Sequence, residues 1–184
     1  MAENFPKTEA AILAGGCFWC LEAVYLGAEG VHSVTSGYIG GHVDAPTYER
    51  ICDGDTGHAE AVRIEFDPAV IGFADLLDIF FAIHDPTTPN RQGNDVGTQY
   101  RSAIFATTPE QESLARQTVA ELAREGGVRA PIVTEILAAP HFWPAEPYHH
   151  DYFSRNGHQP YCQYVVAPKV AKFRSKFAKR VKAT

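Results

Sequence analysis

Cys17 and Cys20 stand three residues apart in Gly15-Gly16-Cys17-Phe18-Trp19-Cys20, and this is where the chain can do thiol chemistry. The apolar run from Ala10 to Ala14 before them reads as a buried strand. Leu21-Glu22-Ala23-Val24-Tyr25-Leu26 after them carries helical spacing. Two glycines let the backbone turn sharply between the two elements, so Cys17 is expected to open a helix. Unpaired N–H groups and the helix dipole favour an anion there, which predicts a lowered thiol pKa and a partly ionised, nucleophilic sulfur at neutral pH. Spacing alone leaves four readings of the pair. They are a thioredoxin-like dithiol, half of a zinc site, a nucleophile with a resolving thiol beside it, and two cysteines simply buried in a core helix.

Other side chains can complete such a site. In residues 59–66, Glu60 alternates onto the face of Val62, Ile64 and Phe66. Its carboxyl is therefore either partly desolvated, which raises its pKa and keeps the proton on, or solvated at a sheet edge. A protonated Glu beside a thiolate can act as a general acid. Phe18 and Trp19 are either core residues or an apolar wall beside the sulfur. The stretch from Asn90 to Ser102 is dense in hydrogen-bonding side chains. On a strand near 99–106, Tyr100 would share a face with Ser102, its hydroxyl either structural or aimed at a pocket. The cluster from Glu146 to Tyr152 reads as a hydrogen-bonding network or, less economically, as metal ligands.

The elements that must hold these residues follow from periodicity. Strands are expected near 9–14, 31–39, 59–66, 99–106 and 132–138. Helices are expected near 17–27, 72–83 and 109–125, with a helical turn over Tyr48 to Cys52. A long polar loop covers 85–98, irregular structure begins at Pro140, and Val170, Phe173, Phe177 and Val181 make one stripe of a terminal helix. The β-α-β-β-α-β order predicts an α+β fold, a two-layer sandwich with a ferredoxin-like core and a mixed sheet. At 184 residues, with 45% hydrophobic and 21% charged content, a single domain spanning 1–184 is expected.

Charge and cysteine usage narrow the function further. The formal charge is −6, but seven of the 16 basic residues lie in the last 16 positions. Residues 1–168 thus carry nine basic against all 22 acidic residues, a formal −13. Such a body argues against a nucleic-acid groove. No apolar run reaches the ~20 residues that span a bilayer. The N-terminal residues lack a basic segment followed by an apolar one, so no secretory signal is read there, and the cytoplasm is the expected compartment. Four unevenly spaced cysteines, at 17, 20, 52 and 162, are not a disulfide framework in a chain this long.

Taken in order, these segments resemble the peptide methionine sulfoxide reductase A family. The resemblance rests on Gly16-Cys17-Phe18-Trp19, Pro46-Thr47-Tyr48-Glu49, Thr56-Gly57-His58-Ala59-Glu60-Ala61-Val62, the run from Gln92 to Ser102, and Ala145-Glu146 with Tyr148-His149. It implies reduction of the S epimer of methionine sulfoxide, free or in peptides. In that scheme Cys17 is the nucleophile, Glu60 the acid, and Tyr48 and Tyr100 the phenols on the sulfoxide oxygen. Asp95 supports the polar side, while Phe18 and Trp19 hold the methyl group. The chemistry is consistent with this set, because a sulfoxide sulfur accepts a thiolate only when its oxygen is protonated or strongly hydrogen-bonded. Cys17 would become a sulfenic acid, then a disulfide restored by thioredoxin. No cofactor or metal is implied, and a monomer is expected.

This chain departs from the family pattern in two places. Cys20 stands where many members have Gly, and the C-terminal segment offers only Cys162. Resolution can fall to Cys20, to Cys162, or to both in relay. Cys20 is favoured because an i, i+3 pair at a helix start is within disulfide reach, whereas Cys162 would need a mobile segment. Cys52 is read as structural. His150 replaces the family's usual Gln. The rival readings are a general thiol-disulfide oxidoreductase and a zinc-binding module, neither of which has a use for Glu60, Tyr48 and Tyr100.

Overall fold

Four antiparallel strands carry the architecture: β1 (Glu9–Gly15), β2 (Val31–Ile39), β3 (Ala59–Phe66) and β6 (Ser102–Ala106). The computed structural model describes residues 7–184, so the N-terminal reading of residues 1–6 lies outside the described residues. β3 pairs with both β1 and β2, and β6 pairs with the other edge of β1, all antiparallel. Short strands extend both edges, β7 (Glu135–Ala138) parallel to β6 and β8 (Trp143–Pro144) antiparallel to β2. The order is β7-β6-β1-β3-β2-β8, an α+β arrangement on a mixed sheet.

Helices α1 (Phe18–Leu26) and α3 (Phe73–Ile83) are the crossovers joining β1 to β2 and β3 to β6. Each bridges strands that are not neighbours, so β1 and β3 interleave. The alternation expected of β3 decides which face the helices cover. Val62, Ile64 and Phe66 join Ala11, Leu13, Ile104 and the apolar sides of α1 and α3 in the main core. Ala59 and Ala61 point the other way, with Ile12, Ala14, Ala103 and Phe105, into a smaller cluster closed by Ala139 and Phe142.

Several expectations shift on inspection. The polar loop contains a small hairpin, β4 (Arg91–Gln92) with β5 (Asp95–Val96). Tyr100 does not lie on β6 but ends a single helical turn over Thr98–Tyr100, because Gly97 takes a conformation open only to glycine. Ser102 starts β6, and its hydroxyl is spent on His84 and Thr134, each 2.8 Å away. Between β6 and β7, α4 (Pro109–Glu125) follows prediction closely, with Thr108 capping, Pro109 in the first turn and Gly126 left-handed at its end.

The segment after Pro140 is more regular than expected. It holds α5 (Tyr152–Asn156), a π-helical turn over Cys162–Val166, and α6 (Ala167–Lys176). The widened turn has a local cause in Pro168. Proline gives no N–H and crowds the carbonyl four residues back, and the Ala167 N–H bonds instead to the Cys162 carbonyl. α6 ends at Lys176, so the four-residue stripe is not one helical face. Phe173 is buried from α6, Phe177 leaves the helix, and Val181 reaches the core through an antiparallel bridge to Ala28.

Candidate functional site

β1 and β3 pair with Leu13 opposite Val62. Carried two residues further, that register sets Gly15 level with Glu60. Glu60 in turn faces Tyr38 on β2, and Gly15 faces Ser102 at the start of β6. One end of the sheet therefore gathers the turn into α1, the first residues of β3 and the turn that carries Tyr100. Cys17 occupies the N-cap position of α1, reached through Gly16 at φ +93°.

Cys17 is buried, and that burial overturns one expectation. Loss of solvent pushes its thiol well above the ordinary range, and the Cys20 sulfur beside it and the Glu60 charge push the same way. The helix N-terminus does not outweigh them, so the resting sulfur is a thiol. Cys20, one turn on, is drawn down because the Cys17 thiol donates a hydrogen bond to it, against its own burial. Cys162 is also fully buried and is raised by burial and by the neighbouring Cys20 sulfur. Its place at the head of the π-helical turn packs it under α1 beforehand. Cys52 is exposed on α2 (Tyr48–Asp53), and its thiol bears on the Tyr48 phenol one helical turn away.

Opposite the sulfurs, Glu60 is 2% exposed and its Oε2 has no hydrogen-bond partner. Burial pushes its pKa well above the carboxylate range, with the Asp95 and Cys20 charges adding to the shift. Tyr48 and Tyr100 are half-buried. Desolvation raises both phenols, and the Glu60 charge contributes to each. Both hydroxyls therefore stay protonated and able to donate. Tyr48 is fixed through its backbone N–H, which donates to Glu146 Oε2 at 2.9 Å, while the Tyr38 hydroxyl donates to Glu146 Oε1 at 3.0 Å.

The aromatic wall forms on the other flank. Phe18 is fully buried against Tyr38 and His149, a burial worth roughly 2–3 kcal/mol. Trp19 is only partly buried. It stacks on Tyr152 at 3.8 Å and 5°, and its indole N–H donates to His149 Nδ1 at 3.1 Å. The Glu146–Tyr152 cluster is thus a hydrogen-bonding network, and among the described residues no group of three His, Cys, Asp or Glu side chains is placed to hold a metal.

One residue of the site escaped the sequence reading. The Tyr161 hydroxyl donates to Asp95 Oδ2 at 2.7 Å, its ring meets Trp19 edge-on, and it bears on both Cys17 and Cys20. The only sequence signal was its place next to Cys162.

A buried protonated carboxyl, two half-buried phenols and three thiols that act electrostatically on one another at this end of the sheet fit a thiol-based oxidoreductase site. The peptide methionine sulfoxide reductase family model matches residues 9–181, and the chain belongs to that family. It is similar to peptide methionine sulfoxide reductase MsrA of Ralstonia nicotianae, 57% identical over 95% of this chain and 94% of that protein. Among solved structures, reduced Mxr1 from Saccharomyces cerevisiae matches with TM-score 0.77 and 37% identity over 85% of this chain and 90% of that one. The same yeast protein in complex with Trx2 matches with TM-score 0.55 and 25% identity over 86% and 90% of the two chains. No helix among the described residues is long and apolar enough to cross a membrane.

Proposed function

We propose that this chain reduces the S epimer of methionine sulfoxide, free and in peptides, with thioredoxin returning the oxidised enzyme to its dithiol state. The observation that carries this reading is the unpartnered, buried Glu60 Oε2, kept protonated opposite a buried thiol. A general disulfide oxidoreductase has no need for such a donor, whereas sulfoxide reduction requires one.

In this reading Phe18 and Trp19 receive the methyl group while Tyr48 and Tyr100 donate to the sulfoxide oxygen. Glu60 gives its proton to that oxygen as the Cys17 sulfur attacks the substrate sulfur. The proton that Cys17 gives up replaces the one Glu60 has spent, so the buried pair gains no net charge. The S–O bond breaks, the departing oxygen with its proton bonds to the Cys17 sulfur, and the transient bond between the two sulfurs breaks in turn, so the products are the thioether and Cys17 sulfenic acid. Asp95, bonded to Tyr161, supports the polar side. A second thiol then attacks the sulfenic sulfur, forming a disulfide and releasing water. The order Cys17–Cys20–Cys162, with Cys20 bearing on both neighbours, supports a relay in which Cys20 resolves first and Cys162 takes over the bridge. Thioredoxin reduces that second disulfide. The protein acts as a single-domain monomer in the cytoplasm, without nucleic-acid or membrane partners.

An anaerobic single turnover with excess reduced protein and racemic sulfoxide peptide tests the reading. Half of the sulfoxide is expected to disappear, with one disulfide per methionine formed. Peptide mapping at short times is expected to find a 17–20 bridge, and at longer times a bridge to Cys162. Reactive Cys17 with no methionine formed would hand the site to the disulfide-oxidoreductase reading.

A further inference from the structure

Glu22, on α1 one turn beyond Trp19, is a buried acid outside the scheme above. It is 1% exposed, yet both of its oxygens are engaged. Ser36 on β2 donates its hydroxyl to Oε2 at 3.2 Å, and the Tyr152 backbone N–H donates to Oε1 at 3.2 Å. That N–H lies at the first residue of α5, directly after Asp151, which is held in the left-handed region at φ +51° although it is not glycine. A β-carbon there costs roughly 1–3 kcal/mol unless the surroundings enforce it. The same residue, Tyr152, lays its ring flat on Trp19. One carboxylate thus ties α1 and β2 to the strained entry of α5 and, through it, to the ring that backs the indole.

We propose that Glu22 is a positioning residue whose ionised carboxylate holds Tyr152 against Trp19 and so sets the shape of the apolar wall that receives the substrate's methyl group. The claim about the substrate rests on the proposed function. The claim about the Trp19 wall does not.

Ionisation matters because a carboxylate accepts N–H and O–H bonds about twice as strongly as a neutral carbonyl. Burial raises Glu22 to about 7, against the lowering effect of the Tyr152, Ser36 and Asp151 donors, with the Asp151 charge adding to the rise. The wall should therefore loosen as pH falls through neutrality. Of the charged groups packed around α1, Asp151 bears on Glu22, whereas Lys169 from α6 bears on Cys20. His149, the acceptor for the Trp19 indole, is held neutral by burial and titrates on the acid side. It accounts for any residual pH dependence once Glu22 is removed.

The test uses the full reduced chain with Trp143→Phe, which leaves Trp19 as the only indole, and adds Glu22→Gln as a permanent mimic of the protonated acid. Acrylamide quenching of Trp19 is read without substrate from pH 5.5 to 8.5. Single-turnover kinetics with a sulfoxide peptide then separate the half-saturating concentration from the limiting rate. At pH 8.5, Glu22→Gln is expected to raise quenching about two-fold and the half-saturating concentration about three- to ten-fold, with the limiting rate within two-fold, as loss of part of one or two charge-assisted bonds allows. The parent is expected to approach the same values as pH falls through about 7, and the variant to show no midpoint there. Quenching that matches the parent at every pH overturns the proposal, as does a lowered limiting rate with unchanged half-saturation. A quenching change with no change in half-saturation leaves the clamp standing and removes Trp19 from substrate binding. Should Glu22→Gln not fold, Ser36→Ala removes one donor to the carboxylate and is expected to move the parent's midpoint upward; an unmoved midpoint overturns the proposal.

Discussion

Glu60 and Glu22 are buried to the same degree, 2% and 1% exposed, and both have raised pKa values for the same first reason, loss of solvent. They differ in what surrounds them. Glu22 accepts bonds on both oxygens, and its pKa stops at about 7. Glu60 leaves Oε2 unpartnered beside the charges of Asp95 and Cys20, which add to the effect of burial in raising its pKa well above the carboxylate range. Burial alone therefore does not assign a role to an acid. In the roles proposed above, the carboxyl supplied with donors is the clamp, and the one left without them is the proton source.

Rate provides the strongest way to break that contrast. Glu60→Gln keeps the shape and removes the proton, and it is expected to slow the single-turnover reductive step by about 10²–10⁴-fold, the range for a general acid. Glu22→Gln should leave that step within two-fold. Equal losses in the two variants would show that both acids serve the chemistry or that neither does.

Stability sharpens the contrast at a smaller scale. An unfolded chain releases the Glu proton near pH 4.3, whereas the folded state keeps it on each residue to higher pH. The parent's stability from these groups is complete below that pH and is lost as pH rises through the folded value. For Glu22 the loss is complete above about pH 7. Glu22→Gln, with no proton to lose, is expected to be more stable than the parent at pH 8 by roughly 1–2 kcal/mol, after discounting for partial solvent screening, and equal to it near pH 4. Glu60→Gln should gain in the same direction, because the Glu60 pKa is also raised by burial. Denaturant midpoints across pH measure both trends.

The smallest effect concerns the polar flank. Tyr161→Phe removes one hydrogen bond to Asp95 and is expected to cost about 0.5–1.5 kcal/mol of transition-state stabilisation, roughly a two- to ten-fold slower reductive step. A loss as large as that of Glu60→Gln would make Tyr161 itself a proton donor.

These differences bear on what the sequence makes legible. Glu60 was readable because strict alternation in β3 separates Val62, Ile64 and Phe66 from Ala59 and Ala61, and the structure keeps that separation. Cys17 was readable as a helix start because two glycines follow an apolar strand. Its protonation was not, because depth of burial comes from chain segments far away in sequence. Tyr161 meets Asp95 across 66 positions, and no local period announces that meeting. Tyr100 was misplaced onto a strand because the turn made possible by Gly97 interrupts the period. Glu22 read only as one more helical residue, since its partners arrive from β2 and α5.

Gly16 couples two parts of the site that lie 76 positions apart in the chain, at residues 16 and 92. A β-carbon there would stand 2.8 Å from Gln92 Cβ and 2.7 Å from its Cγ. Gln92 cannot swing aside, because its amide both accepts from and donates to the Asp85 backbone, at 2.9 and 3.0 Å. The turn that delivers Cys17 and the hairpin that delivers Asp95 thus share a single wall. In a saturating mutational scan, position 16 should therefore tolerate no replacement, and trimming residue 92 should recover only the part of the loss due to the clash, because φ +93° strains any side chain there.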